Sequence, residues 1–338
     1  MTSLSTPTTA AAREPRTGLS LTLFGLTTIL TFLMIALGAS VTTIEAADSD
    51  PEWSLFNFGY WFQEAAGGRW FELRHRAFGT LIGALTVMAC VAVLVFDTRP
   101  RVKRFALWAV PLVVVQGLLG GLRIHVVSND ALKQSLMGWT GLDHSGLRMV
   151  VAIVHGFAGQ LFLAVLAMIC AMLTRAWVRG DNAIEGTPAN HGVRKVVAAT
   201  FDMLFFMLLL GAYVRHGRVF WPDGPAPGRS VVLGLHMAMA FVVLFHVFFA
   251  RLRVGRVEQH RGISRPVALA QILVLLQILL GFIAWATTRG DVEAAQPGSW
   301  AMILRTAHVA NGALLLALFA YSWIWCREWI GRQGEATS

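Results

Sequence analysis

Eight long apolar segments dominate the sequence, and they lie at residues 19–41, 77–96, 105–122, 149–173, 196–214, 230–250, 266–286 and 302–325. An α-helix needs about 17–25 apolar residues to cross the hydrocarbon core of a bilayer. Because lipid offers no hydrogen bonds to the backbone, each segment is predicted to be helical. Only 14% of the residues are charged, whereas soluble domains carry about 25%. We therefore expect an all-α membrane protein with eight transmembrane helices.

The first segment follows Arg13 and Arg16, as the apolar part of a signal peptide would. It spans residues 19–41, however, which is longer than the roughly 7–15 apolar residues of a signal peptide. We therefore predict that it is retained as the first transmembrane helix.

The basic residues alternate between the two sides of the predicted bundle. With a cytoplasmic N-terminus, 17 of the 28 Lys and Arg residues fall on the cytoplasmic side. The positive-inside rule then predicts a multi-pass protein of the cell (inner) membrane with both termini in the cytoplasm. The net charge of +9 is not accompanied by a basic face or a nucleic-acid-binding motif, so we expect no nucleic-acid partner.

An internal repeat divides the chain into two halves. The sequence LGASV at 37–41 returns as LGAYV at 210–214, and QGLLG at 116–120 returns as QILLG at 277–281. Four helices in each half make a parallel repeat about an axis along the membrane normal. We predict two tandem, pseudo-twofold related four-helix bundles, at 1–174 and 196–338, joined by a cytoplasmic linker at 175–195.

Four of the ten histidines share one position in this repeat. His75, His155, His236 and His308 each lie near the start of an even-numbered segment, which places them near the outer face. A hydrogen-bonded packing histidine is the ordinary explanation for any one of them, but one at the same depth on every second helix favours a ligand. The remaining histidines are predicted to be surface or packing residues, with four in loops, one just past the fifth segment and one deep in the sixth: His125, His144, His191, His260, His216 and His246.

Two histidines on facing helices suit a heme bound on both faces of its iron. Zinc usually recruits three or four ligands to one point, and Cys90, Cys170 and Cys326 have no partner at metal-site spacing. The predicted pairs are His75 with His155 and His236 with His308, with heme iron as the metal.

Charged residues near these histidines are candidates for the rest of the site. Arg76 and Arg305 are the favoured partners of heme propionates, with Arg74, Arg148, Arg215 and Arg218 at other helix ends; the alternative is that they reach the lipid headgroups. Glu72 precedes His75 by three residues, and could relay protons at a heme edge. Alternatively, it only stabilises the start of a helix.

The ordered set of motifs resembles the heme A synthase family over residues 19–325. The motifs are ELRHR at 72–76, QGLLGG at 116–121, VHG at 154–156, GAYVRH at 211–216, LHM at 235–237 and HVANGA at 308–313. The resemblance implies an oxidoreductase that converts a ring methyl of heme O to a formyl group, giving heme A for cytochrome oxidase.

The resemblance also implies unequal roles for the two halves. His236 and His308, with Arg305 and Arg215, would bind a heme b cofactor, while His75, His155 and Arg76 would bind the substrate heme. Glu72 matches the essential acidic residue of the family. Electrons would leave through the cofactor heme to a membrane acceptor, for which a quinone is the candidate. Heme O would be received from a heme O synthase, and a homo-oligomer is compatible with the family.

Two features depart from the family pattern. Residues 42–75 contain no cysteine pair, and Thr42 stands where an arginine is expected, in contrast to Arg215 in the second half. Two other functions stay open on the sequence: a diheme b-type cytochrome that passes electrons between a quinol and an outer partner, and a structural or transport bundle.

Overall fold

Eight long helices make up most of the protein. The computed structural model describes residues 16–47, 63–180, 184–221, 226–256, 260–288 and 296–331. Within these ranges the eight helices long and apolar enough to span a membrane are α1 (Gly18–Thr43), α2 (Gly67–Phe96), α3 (Pro100–Ser128), α5 (His144–Leu173), α7 (Pro188–Val219), α8 (Arg229–Gly255), α9 (Arg261–Ala286) and α10 (Trp300–Trp329). The prediction of an all-α membrane protein with eight long apolar helices is confirmed.

The helices extend beyond the apolar segments that predicted them. Helix α2 begins at Gly67, ten residues before the apolar segment at 77, so that Glu72 and His75 lie inside it. Hydropathy marks only the part that lipid surrounds, whereas backbone hydrogen bonding continues into polar turns. The predicted loop positions of three histidines are wrong for this reason. His125 lies in the last turn of α3, His144 begins α5, and His191 lies in α7.

Two shorter helices interrupt the connections. Helix α4 (Asp130–Thr140) follows α3, and helix α6 (Arg175–Arg179) follows α5. Asn129 caps the start of α4 by accepting a hydrogen bond from Leu132 N–H, and Gly141 ends it in the left-handed conformation. The hydrogen bond and positive charge of Lys133 lower the pKa of Asp130 in its first turn. Trp139 is 85% exposed, which is typical of aromatic residues at a membrane interface.

The helices pack as two rings that share a central contact. Helix α1 packs on α2 and α5, and α3 completes the first ring by packing on α2 and α5. Helices α7, α8, α9 and α10 form the second ring in the same way, and α10 also packs on α1 and α5. Helices α5 and α10 are consequently the most buried of the eight. The twofold relation and the domain boundaries stay predictions, although residues 188–195 of the predicted linker belong to α7.

The two ends of the bundle contain different types of side chain. We call the end that carries His75, His155, His236 and His308 the histidine end. The opposite end is held by apolar and aromatic packing around Trp177, Trp325 and Trp329.

Two polar contacts, an ion pair and an arginine bridge, add to this packing at the opposite end. Glu328, which is buried, pairs with Arg101, and Arg99 bridges Asp97 and the backbone oxygen of Met172. These contacts connect α3, α5 and α10 and leave the histidine end as the place with internal space.

Candidate functional site: a histidine and arginine cavity

A large cavity lies inside the histidine end. Its volume is about 1080 Å³, and both halves of the chain line it. That volume is slightly above the range of about 300–1,000 Å³ that small-molecule sites usually have. The lining contains every predicted site residue: Glu72, His75, Arg76, His155, Arg215, His236, Arg305 and His308.

The four histidines form two pairs of the same geometry. The ring centroids of His75 and His155 are 6.4 Å apart at an interplanar angle of 80°. Those of His236 and His308 are also 6.4 Å apart, at 75°. Imidazole nitrogens bind metals at about 2.0–2.1 Å, so two imidazoles on opposite faces of one metal ion have centroids about 6.3 Å apart. Both pairs therefore have the spacing of a bis-imidazole metal complex.

Each imidazole rests on a glycine of the preceding long helix. The pairs are Gly38 with His75, Gly120 with His155, Gly211 with His236, and Gly281 with His308. A methyl group built on these glycines would lie 2.8, 3.5, 3.0 and 3.1 Å, respectively, from Cε1 of the imidazole. Nδ1 of His75 is buried without a hydrogen-bond partner, whereas the backbone of Gln116, Met207 and Gln277 interacts with the rings of His155, His236 and His308, respectively. At Gly38, Gly211 and Gly281 the absence of a side chain thus allows the close approach of the imidazole.

Two glutamines support the later histidine of each pair. Gln116 donates from Nε2 to the backbone oxygen of His155 (3.0 Å). Nε2 of Gln277 lies 3.5 Å from Nε2 of His308. In the second half, Asn311 also donates to Oε1 of Gln277 (2.6 Å). In both halves the glutamine of the QxxxG motif thus contacts the later histidine of the pair, through its backbone oxygen in the first half and near its ring in the second.

An acid–base pair distinguishes the first histidine pair. Glu72 and Arg76, one turn apart on α2, form an ion pair with Oε1 and Nη2 2.6 Å apart, and both side chains are buried. Because α2 starts at Gly67 with Ala66 as its N-cap, Glu72 lies past the first turn, and the alternative that it stabilises the helix start is wrong. The positions corresponding to Glu72 and Arg76 in the second half, in the register of His75 and His236, are Leu233 and Met237.

Arginines give the cavity a positive character. The arginines in its lining are Arg76, Arg123, Arg215, Arg218, Arg229 and Arg305, against one carboxylate among the described lining residues, Glu72. Arg215 reaches from α7 to α1, where it donates to the backbone oxygen of Ala39 and to Oγ1 of Thr43 (2.8 Å). Arg305 donates to Oγ1 of Thr287 (3.2 Å) and to its backbone oxygen. A guanidinium presents five N–H donors, so a residue held in this way can also bind an anionic ligand group.

The sequence interpretation missed three basic lining residues, His216, Arg123 and Arg229. His216 was predicted to lie just past a helix, but it lies within α7, is buried, and stacks on Phe220 with centroids 5.7 Å apart. Arg123 comes from α3, where its guanidinium lies 6.0 Å from the same ring. The VRH sequence at 214–216 was a signal that His216 belongs to the site. No motif around Arg123 predicted that its side chain lines the cavity.

The donor set suits a planar metal-bearing ring better than a bare ion. Among the described residues, no three His, Cys, Asp or Glu side chains converge on one point. The histidines instead lie in two pairs, in a cavity of about 1080 Å³ that can hold a macrocycle. The arginines of the lining can bind carboxylate groups. Heme has both features: an iron with two axial positions and two propionates.

Fold and cavity together define a class: a multi-pass α-helical membrane protein with an internal cavity lined by paired histidines and arginines. No family model matches the chain, and no curated protein matches it.

Proposed function

We propose that this protein is a heme A synthase, an oxidoreductase that converts a ring methyl of heme O to a formyl group. The observation that carries the proposal is the presence of two histidine pairs in one cavity, each with centroids 6.4 Å apart. A protein that oxidises one heme with the help of another needs two such sites within reach of each other. The motif resemblance to the heme A synthase family supports the same conclusion.

The difference between the pairs supports unequal roles. The Glu72–Arg76 ion pair lies beside His75, where a bound substrate heme would meet a carboxylate able to move protons. Apolar Leu233 and Met237 occupy the corresponding positions beside His236. We therefore assign substrate heme O to His75, His155 and Arg76, with Glu72 as the catalytic carboxylate, and the cofactor to the second pair.

The cofactor site is proposed to hold heme b between His236 and His308. When bound, a heme at this site would supply one-electron redox chemistry. Arg305 and Arg215 would pair with its propionates, since both line the cavity and present several N–H donors. A membrane-soluble quinone is the proposed acceptor, and heme O synthase the proposed source of substrate. The proposed location is the cell membrane, with both termini in the cytoplasm and both hemes near the outer face.

One observation favours a second candidate, a diheme b-type cytochrome. The two pairs have the same centroid distance and nearly the same interplanar angle, as expected if both hold the same heme. Such a cytochrome would pass electrons between quinol and an outer partner without changing either heme.

Extraction and chromatographic identification of the bound pigments separates these functions. The full-length protein, produced in cells that make heme O, should yield heme b together with heme O or heme A. Heme b in both sites would support the cytochrome, and protein without heme would contradict both proposals.

A further inference from the structure

The border of the cavity differs between the two halves. In the first half the cavity reaches Val87 on α2 and Val114 and Leu118 on α3. All three are large apolar residues with about half of their surface exposed, at 48%, 53% and 52%. The cavity thus continues from His75 and His155 to residues that belong to the membrane-facing surface of the bundle.

The second half has no such continuation. In the register that pairs Gln116 with Gln277, the counterparts of Val114 and Leu118 are Leu275 and Leu279. Both are exposed to a similar degree, yet neither is among the described residues that line the cavity. Phe248, in place of Val87, packs against the apolar core.

Two glycines account for the difference. Gly83 on α2 and Gly117 on α3 line the cavity, and a methyl group built on either would meet no atom within 4 Å. Their counterparts are Leu244, which packs against the core, and Ile278. At these two positions the first half therefore has open space, where the second half has the side chains of Leu244, which packs against the core, and of Ile278, which lines the cavity.

A buried acceptor beside this opening also points to a ligand. Oε1 of Gln116 is buried without a hydrogen-bond partner, whereas Oε1 of Gln277 accepts from Asn311. Unsatisfied buried acceptors are costly, and a donor on a ligand in the first half would satisfy this one.

We propose that the gap between α2 and α3, bordered by Gly83, Gly117, Val87 and Leu118, is a lateral portal for the hydrocarbon tail of the ligand held by His75 and His155. A long isoprenoid chain such as that of heme O is dissolved in the lipid, so a ligand of this kind reaches the cavity in the plane of the membrane at least cost. The hydroxyl group at the base of that tail supplies a donor for Gln116. Heme b lacks the tail and needs no such opening at the second pair.

The portal has this role only if the first pair binds a tailed heme, so it rests on the proposed function. The test compares wild-type protein with the double variant Gly83→Leu/Gly117→Ile, which introduces the side chains found at 244 and 278. Both are purified from cells that make heme O, and the extracted hemes are quantified per chain. Gly25→Leu is the matched control, because Gly25 also has open space around it but does not line the cavity.

A functioning portal predicts a loss of at least about tenfold in heme O plus heme A in the double variant, since the added side chains fill the passage. Heme b and the control should be unchanged. Wild-type amounts of tailed heme in the double variant would overturn the portal and leave the proposed function standing. Wild-type protein with heme b alone would overturn both. If the double variant also loses heme b, the single variant Gly117→Ile decides by the same criteria.

Discussion

At the scale of single residues, close glycine contacts restrict the orientation of three of the four imidazoles, those of His75, His236 and His308. We predict that Gly38→Ala displaces His75, because the added methyl would lie 2.8 Å from its Cε1 atom. Overpacking of this kind costs about 1–3 kcal/mol. The pigment content of the first site and the thermal stability of the loaded protein should both fall.

Gly120→Ala is the matched control for this substitution. Its methyl would lie 3.5 Å from Cε1 of His155, an ordinary contact, so heme content and stability should stay close to wild type. Equal behaviour of the two variants would show that the glycines do not position the ligands.

Glu72 is the residue on which the proposed chemistry depends most. We predict that Glu72→Gln keeps heme b and still binds heme O, while the yield of heme A falls by about 10²–10⁴, the usual contribution of a general acid or base. Chromatography of extracted hemes measures the ratio of heme A to heme O. Because Arg76 loses the negative charge of Glu72 in this variant, Glu72→Gln/Arg76→Gln tests whether the change in charge balance causes the effect. Heme A at the wild-type level would remove Glu72 from the mechanism.

At this scale the sequence could predict residues that recur or have distinctive spacing. The four histidines were found from their equal depth, and Glu72 from its position before His75. Arg123 could not be found, because its contact with Phe220 joins α3 to α7 across the interface between the halves. Periodicity within one helix contains no information about such a contact.

At the scale of helices, Asn311 connects α10 to α9. It donates to Oε1 of Gln277 (2.6 Å) and to the backbone oxygen of Leu273 (2.9 Å). We predict that Asn311→Ala destabilises the protein by about 0.6 and at most about 1.7 kcal/mol, the average and the maximum measured for side-chain hydrogen bonds between membrane helices. Unfolding of the detergent-solubilised protein measures the change.

The first half offers a reciprocal test of the same contact. Ala158 corresponds to Asn311 in the first half, and Oε1 of Gln116 is buried without a hydrogen-bond partner. Ala158→Asn should therefore stabilise α5 against α3. Destabilisation by both substitutions would show that the two halves are not matched at this contact.

Helix number and type followed from hydropathy, but helix ends did not. The start of α2 at Gly67 depends on capping and on backbone hydrogen bonds that a hydropathy pattern does not report. Helix α4 also escaped prediction, since it is short, and none of its residues is buried.

At the scale of the whole molecule, the arginines at the two ends of the bundle differ in where they lie. Those at one end line the cavity, whereas those at the other end lie in the connections that determine membrane orientation. At the opposite end of the bundle, basic residues cluster in the connections and adjoining turns, as in Arg99, Arg101, Lys103, Arg104, Arg175, Arg179, Arg251, Arg253 and Arg256. At the histidine end, six arginines line the cavity, so they do not count as basic residues of the connecting loops. The contrast between the two ends is thus stronger than the sequence count alone indicated.

This contrast predicts that the opposite end faces the cytoplasm. A cysteine in place of Gln134, which is exposed on α4, should react with a charged, membrane-impermeant maleimide in intact cells. A cysteine in place of Ala176, which is exposed on α6 at the opposite end, should react only after lysis. Wild-type protein is the control, because Cys90 and Cys326 are buried and Cys170 is partly buried. The reverse labelling would place the cavity on the cytoplasmic side, and any partner of the proposed hemes would then have to approach from within the cell.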